Sequence, residues 1–303
     1  MLIMEPIKET TRQDYTERML KVLTYIQRHL DEDIRLETLA DAACFSPYHF
    51  HRIFRGFVGE SVKEHIRRIK LERAAQRLKQ TDKSVIDIAF EAGYDAPEAF
   101  SRAFRHMFHV SPSQYRAAVQ AVKGMPGRVH YSPDGTIEKV EFHTGKEQTM
   151  KVEIKDVQPM RVAFVRHVGP YPECGKAWET LCAWAGPNGY FQPGVQFIGL
   201  CYDDPDVTPS DKIRYDACIT VEKFRPEGEI GAQIIEGGLY AMTTHHGSYM
   251  KLSDTYAALC GGWIIENGYE IRSLPSFEVY LNDPNETPEE ELLTDVYVPI
   301  EKK

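Results

Sequence analysis

The sequence lacks the marks of several protein classes. Its six cysteines form no C-x-x-C pair and lie inside apolar segments, which is typical of buried free thiols in a reducing compartment. It contains no H-E-x-x-H motif, no glycine loop that could cradle a phosphate and no G-x-S-x-G elbow. No apolar run approaches the ~20 residues that a membrane-spanning helix needs. Because Met1–Pro6 also has no basic stretch before an apolar one, we expect no signal peptide and a cytoplasmic protein.

Charge is distributed unevenly along the 303 residues. The formal net charge is −9, which by itself argues against binding to nucleic acid. Residues 1–123, however, carry 20 Lys and Arg against 17 Asp and Glu, a balance of +3. Residues 124–303 carry the remaining 16 against 28, a balance of −12. A mildly basic half joined to an acidic half suggests two domains with two tasks, in keeping with the usual ~100–200 residues per domain.

Residues 16–120 show a helical pattern that occurs twice. Apolar positions predict a short helix, a turn and a second helix over residues 36–55, and the pattern returns over 85–105. The offset between the copies is 49 residues before the turn and 50 after it. A long amphipathic helix, about Val62 to Leu78, separates them. Two helix-turn-helix units joined by one long helix predict an all-α domain that reads DNA in two places.

The same residues carry a family resemblance. Ser84–Tyr94, Phe100–Arg105 and Val110–Arg116 resemble, in order, the signature of the AraC-type transcription regulators. The resemblance covers residues 16–120. It implies that the second helix of each half enters the major groove, and that the two adjacent grooves lie on one face of double-stranded DNA.

The resemblance also indicates which side chains face the DNA. The base-facing candidates are Tyr48, His49, His51 and Arg52 in the first half, and Pro97, Glu98, Ser101 and Arg102 in the second. Arg52 and Arg102 are the strongest, because Arg can bind O6 and N7 of guanine together. We expect Arg55 and Arg105 at phosphates. Glu98 departs from the family, which commonly has a neutral polar residue there, and we expect it to narrow the preference of the second half.

The remaining sequence contains a second duplication. Residues 121–150 are rich in glycine and proline and predict a linker or hairpin, with a short strand at 136–142. The turn 167–171 returns 78 residues later as 245–249, and each copy leads into a helix. Each copy then ends in two strands. A repeated strand–loop–helix–strand–strand unit predicts an α+β domain with a pseudo-twofold axis.

This half resembles the GyrI-like effector-binding domain. The resemblance spans residues 150–301 and rests on His-x-Gly-x-Tyr at 245–249, the strand before Asn282 and the closing segment 295–300. The expected domains are therefore residues 1–120, a linker at 121–150 and an effector-binding domain at 151–303, a Rob-type arrangement. The family binds small molecules, often cationic amphiphiles, with aromatic walls and an inward carboxylate. Glu278 matches that carboxylate, and the candidate walls are Tyr171, Trp178, Tyr249, Tyr256, Trp263 and Tyr280.

Two functions follow from these resemblances. The first is a DNA-binding transcription regulator whose C-terminal domain binds an amphipathic or cationic effector, with RNA polymerase as a candidate further partner. The alternative is a small-molecule hydrolase or sequestering protein that acts through the GyrI-like groove, with Glu278 and a tyrosine hydroxyl as the reactive pair. We favour the first and expect no catalytic residue, no cofactor and no metal. The histidine pairs at 49/51 and 245/246 are better explained by a polar helix face and a repeated turn.

Overall fold

The chain divides into two compact units that interleave along the sequence. A computed structural model describes residues 4–45, 49–118, 127, 129–131, 136–140, 150–203 and 208–302. The first unit contains Met1–Arg18, Cys44–Phe57 and His143–Lys303, and the second contains Met19–Ala43 and Val58–Phe142. Residues 44–57, which belong to the expected DNA-binding domain, therefore pack with the C-terminal part of the chain. The domain boundaries at 120 and 150 stay a prediction.

The predicted helices are present. The described helices of the N-terminal region are α1 (Met4–Arg28), α2 (Leu36–Ala42), α3 (Phe50–Val58), α4 (Val62–Gln80), α5 (Val85–Glu91), α6 (Pro97–Phe108) and α7 (Pro112–Ala117). Residues 46–48, which come directly before α3 with its preceding turn, lie outside the described residues. Within residues 121–150, β1 (Val129–Tyr131) and β2 (Ile137–Val140) pair in an antiparallel hairpin. A hairpin was one of the two structures that the sequence predicted for this segment.

Short polar side chains fix where the helices of the second unit begin. Ser61 and Ser111 form capping boxes at α4 and α7, and Ser84 accepts a hydrogen bond from the backbone of Asp87 at α5. The two helix-turn-helix turns also share a backbone shape. Gly93 has φ of 80° and Cys44, at the equivalent position, has φ of 53°. Left-handed geometry at both positions supports the repeat that the sequence predicts.

One apolar core holds the second helix-turn-helix together. The buried side chains come from four helices, α4 to α7, and include Leu71, Ile88, Phe100, Phe104 and Tyr115. Phe104 packs edge-on against Tyr115, with ring centroids 5.3 Å apart. Burial of such side chains contributes about 1.5–3 kcal/mol each, so this core positions α6 firmly.

The C-terminal part is an α+β fold with the predicted internal symmetry. Its strands are β3 (Glu153–Val157), β4 (Met160–Val168), β5 (Phe197–Cys201), β6 (Arg214–Thr220), β7 (Gly231–Ile235), β8 (Gly238–His246), β9 (Tyr269–Ile271), β10 (Ser276–Tyr280) and β11 (Leu293–Lys302). Its helices are α8 (Gly175–Ala185), α9 (Leu252–Ala258) and α10 (Ile264–Glu266), the last two joined by a π-turn, Leu259–Trp263.

The order of the strands shows how the two repeats combine. The sheet runs β3-β8-β11-β10-β5-β6-β4-β7, and β9 pairs with β11. Counted inward from either edge, equivalent strands of the two repeats occupy equivalent positions, so that β3 corresponds to β7 and β8 to β4. A pseudo-twofold axis therefore passes between β5 and β10. The opening strand of each repeat pairs with the other repeat, since β3 joins β8 and β7 joins β4. The strands next to the axis, β5 and β10, are antiparallel, and β10 carries the candidates Glu278 and Tyr280.

Candidate functional site

Helix α6 of the second helix-turn-helix presents a polar stripe. Glu98, Arg102 and Arg105 are exposed, and Ser101 is half-buried beside them. These positions are spaced by three or four residues and therefore share one face of the helix. Pro97, half-buried, is the first residue of α6, where its missing N–H costs nothing. The candidates of the second half thus lie together on a face that is open to a ligand as large as DNA.

Helix α3 of the first helix-turn-helix is placed differently. Its candidates His49, His51 and Arg52 are buried, with only 7% of Arg52 exposed. Arg55 is half-buried and forms an ion pair with Asp254, Nη2 to Oδ1 2.7 Å. Tyr48 lies outside the described residues. All of these contacts are made inside the first compact unit, with the C-terminal part of the chain.

The candidate ligand site is centred on Glu278 in β10. Ser276, Glu278 and Tyr280 alternate along the strand and therefore point to the same face of the sheet. Glu278 is 5% exposed, which is rare for a carboxylate without partners. Opposite it in β5 lies Gly199, at the pseudo-twofold axis.

Neutral donors surround the carboxylate. The Tyr256 hydroxyl donates to Oε1 at 3.1 Å and the Tyr280 hydroxyl donates to Oε2 at 2.8 Å. The Cys201 thiol also donates to Oε1, at 3.4 Å. Burial raises the pKa of Tyr256, Tyr280 and Cys201 well above their usual values, and the charge of Glu278 adds to the effect. All three groups are therefore protonated at neutral pH and act as donors.

A chain of hydrogen bonds extends from Glu278 to the aromatic wall. The Trp178 indole donates to the Tyr215 hydroxyl oxygen at 3.0 Å. The two hydroxyl oxygens of Tyr215 and Tyr280 are 3.0 Å apart. Because the proton of Tyr280 points to Glu278, the hydroxyl of Tyr215 is the donor of this pair. All the donors point toward the carboxylate, an arrangement in which each bond polarises the next.

Five of the six predicted wall residues join this cluster. Tyr249 and Trp178 each pack edge-on against Tyr280, with ring centroids 5.5 and 5.7 Å apart. Tyr171 packs edge-on against Tyr215 at 5.8 Å. Trp263 is the exception, since it stacks on Tyr269 with centroids 6.2 Å apart. Each wall residue except buried Tyr256 keeps part of its side chain accessible, as a ligand-binding surface requires.

Three residues of the site do not appear among the sequence candidates. Gly199, Tyr215 and Cys201 all lie on β5 or β6, opposite or beside Glu278. The signal for Gly199 was present, because a glycine inside an apolar strand often marks a close approach of another group. Tyr215 and Cys201 had no such signal, since alternation alone does not tell which buried side chains meet a carboxylate.

The described part of the chain contains neither a candidate membrane span nor a candidate metal site. No helix there is long and apolar enough to cross a membrane. In the same part of the chain, no group of three or more His, Cys, Asp or Glu side chains has the arrangement that would hold a metal ion. The site around Glu278 is thus a carboxylate surrounded by aromatic rings and neutral donors, which suits an organic cation.

Comparison with known proteins gives one family match for each part of the chain. Residues 150–301 match the GyrI-like small molecule binding domain, and residues 39–118 match a helix-turn-helix domain family. The regulatory protein SoxS of Escherichia coli (strain K12) is 32% identical over 95 residues, 31% of this chain and 89% of SoxS.

Two longer relatives match over the same region. YbfP of Bacillus subtilis (strain 168), described as an uncharacterized HTH-type transcriptional regulator, is 41% identical over 102 residues, 34% of this chain and 35% of YbfP. The transcriptional regulator Rob of Salmonella typhimurium (strain LT2) is 32% identical over 95 residues, 31% of this chain and 33% of Rob. The matched part of the chain therefore spans about a third of each of these two relatives.

The matched ranges 39–118 and 150–301 contain α6 and Glu278, respectively. The chain belongs to the AraC-type DNA-binding transcription regulators and carries a GyrI-like small molecule binding domain.

Proposed function

We propose that this regulator senses a lipophilic organic cation, which binds at Glu278 between the aromatic side chains. The observation that carries the proposal is the coordination of the Glu278 carboxylate by the hydroxyls of Tyr256 and Tyr280. These donors are neutral and do not cancel the charge of a carboxylate, so the field of Glu278 remains available to a positively charged ligand. The rings of Trp178 and Tyr249 offer π-faces and edges for the apolar part of the ligand.

On this proposal, DNA recognition uses α3 and α6. Arg102 on α6 is exposed, and we assign it a bidentate contact with guanine. Arg52 has the corresponding role on α3. The individual base contacts, and RNA polymerase as a further partner, stay predictions.

The same cluster favours sensing over hydrolysis. A hydrolase that uses Glu278 and a tyrosine would need a hydroxyl that gives up its proton readily. Burial instead raises the pKa of Tyr256, Tyr280 and Tyr215. With these hydroxyls protonated, and those of Tyr256 and Tyr280 donating to the carboxylate, the site is arranged to hold a ligand rather than to attack it.

Calorimetry with tetraphenylphosphonium as the probe tests the proposal. We expect binding to the intact chain, and roughly tenfold weaker binding to Glu278→Gln, which corresponds to about 1.4 kcal/mol. Glu301→Gln, which removes an exposed strand carboxylate, serves as the matched control and should bind like the wild type. Equal affinity of the wild type and Glu278→Gln would overturn the cation site.

A second assay separates the sensor from the hydrolase. The intact chain and Glu278→Gln are incubated with p-nitrophenyl acetate, and release of nitrophenol is followed. We expect equal rates for the two proteins. Faster release by the wild type, abolished in the variant, would favour the enzyme.

A further inference from the structure

Helix α3 is seated on the C-terminal part of the chain by one face. The residues that contact the C-terminal part recur at helical spacing: His49, Arg52, Arg55 and Gly56. The His49 Nε2 donates to the Leu274 carbonyl at 2.8 Å. Arg55 pairs with Asp254. From His49 to Val58 every residue except Arg55 is buried, so α3 here presents no face to DNA.

Arg52 makes the central contact of this seat. Its guanidinium carbon lies 3.6 Å from the centre of the Tyr256 ring, and its Nη1 donates to the Ser276 hydroxyl at 2.9 Å. Ser276 precedes Glu278 by two residues and faces the same side of β10. The Tyr256 hydroxyl donates to Glu278. The positive charge of Arg52 thus already lies over the ring of Tyr256, and the hydroxyl of this ring is hydrogen-bonded to Glu278.

The close approach of two glycines shows that the fit is specific. A Cβ on Gly56 would lie 2.1 Å from the Ala257 carbonyl oxygen and 2.6 Å from the Cα of Gly261. A Cβ on Gly261 would in turn lie 2.4 Å from the Cα of Gly56. The backbones of α3 and the π-turn therefore approach so closely that only glycine fits at both positions.

We infer that Arg52 is a tethered competitor of the effector, so that binding of an organic cation releases α3 from its seat and exposes Arg52 and His49 to DNA. The inference rests on the proposed function, since it requires the Glu278 site to bind a cation. Both positive charges use the Tyr256 ring and the field of Glu278. The ligand therefore binds the released state better than the seated state, which is the condition for a ligand to shift a conformational equilibrium.

Linkage gives the inference a second consequence. If the cation and DNA both select the state with α3 released, each raises the affinity of the chain for the other by the same factor. With α3 seated, α6 has an exposed polar stripe and α3 has none. Binding of the cation therefore allows the protein to contact two major grooves of the DNA instead of one.

The experiment uses Gly261→Ala in the full chain, because this change unseats α3 without touching DNA-facing residues. Gly262→Ala is the matched control, since nothing lies within 4 Å of the Cβ that it adds. Each protein is titrated with tetraphenylphosphonium, and with a duplex that the wild-type chain selects from a randomised pool. We expect Gly261→Ala to bind the duplex and the cation about tenfold more tightly than the wild type, with Gly262→Ala unchanged.

Hydrogen exchange of the wild-type chain provides a readout that does not depend on a variant. Amides of residues 50–58 should exchange faster when tetraphenylphosphonium is added. Unchanged or slower exchange at saturating cation would overturn the inference, even if Gly261→Ala does not fold.

The outcomes separate the inference from the proposed function. Cation binding that depends on Glu278, without any change in α3 exchange or in the DNA affinity of folded Gly261→Ala, overturns the release of α3 alone. A cation affinity that does not depend on Glu278, or no cation binding by either the wild type or Gly261→Ala, overturns the sensor and the inference together.

Discussion

Gly199 lies directly opposite Glu278 in the antiparallel pair of β5 and β10, at the pseudo-twofold axis of the sheet. A Cβ at this glycine would lie 2.4 Å from the hydroxyl oxygen of Tyr280 and 2.7 Å from that of Tyr215. The missing side chain therefore leaves room for the Tyr280 hydroxyl, which donates to the carboxylate, and for the Tyr215 hydroxyl, which donates to that of Tyr280. One repeat supplies the carboxylate of Glu278. At the matching position the other repeat has Gly199, which leaves space because it has no side chain.

Replacement of this glycine should damage the ligand site. In Gly199→Ala the hydroxyls of Tyr215 and Tyr280 must both move, and we expect a loss of about 1–3 kcal/mol in the free energy of unfolding. Tetraphenylphosphonium should also bind more weakly. Urea unfolding and calorimetry measure the two effects. Gly175→Ala, whose added Cβ meets nothing within 4 Å, should leave both unchanged, and a Gly199→Ala protein that matches it would contradict the role given to Gly199.

The tryptophans provide a test of the aromatic wall. Trp178 packs against Tyr280 and its indole donates to Tyr215, whereas Trp263 stacks on Tyr269. We expect tetraphenylphosphonium to change the tryptophan fluorescence of the wild type and of Trp263→Phe, but not that of Trp178→Phe. If the fluorescence response is lost in Trp263→Phe instead, the ligand binds near Trp263 and not near Glu278.

Two arginines on α6 should differ in their effects on DNA binding. Arg102→Ala should cost about 1–3 kcal/mol on the selected duplex and relax the preference at one base pair, as loss of a bidentate base contact does. Arg105→Ala should weaken binding to all sequences equally and reduce the salt dependence by about one charge. Titrations at several salt concentrations on matched and mutated duplexes distinguish the two. Identical profiles for both variants would argue against the assignment of Arg102 to a base.

A buried ion cluster predicts an acid-sensitive second unit. Glu60 accepts hydrogen bonds from Arg68 and His65, and Arg68 also reaches Glu72. Burial alone would raise the pKa of Glu60, but the hydrogen bonds from His65 and Arg68 outweigh it and lower this pKa to about 2. Since the folded pKa lies below the ordinary value of 4.5, the stabilisation is complete above pH of about 4.5 and is lost as the pH falls toward 2.

Replacement of Glu60 removes this contribution at neutral pH. We expect Glu60→Gln to lose about 3 kcal/mol in the free energy of unfolding, because it leaves the largely buried charge of Arg68 with one partner fewer. Urea unfolding followed at a series of pH values should also show a shallower acid decline for this variant than for the wild type. Glu91→Gln, in a more exposed ion-pair network, should change little. Equal curves for Glu60→Gln and the wild type would contradict the prediction.

Much of the fold could be predicted from the sequence because its information is local. The spacing of apolar residues predicted the helices around both turns, and the left-handed positions at Cys44 and Gly93 agree with the repeat. The second duplication likewise predicted the two matching halves of the sheet. Glu278 was identified through the resemblance to the GyrI-like domain, because it stands at the position of that family's inward carboxylate.

Only the tertiary structure decided which partner each of these helices and strands contacts. The periodicity of α3 shows that Arg52 lies on a polar face, but a polar face can meet DNA, water or another part of the chain. Here it meets Ser276, which is 224 residues away in the sequence, through one hydrogen bond, and the ring of Tyr256 through a cation–π contact. The exchange of opening strands between the repeats and the space beside Gly199 are long-range relationships of the same kind. Helical and strand periodicity is set by backbone geometry within a few residues, whereas the choice of partner depends on which distant surfaces bury one another best.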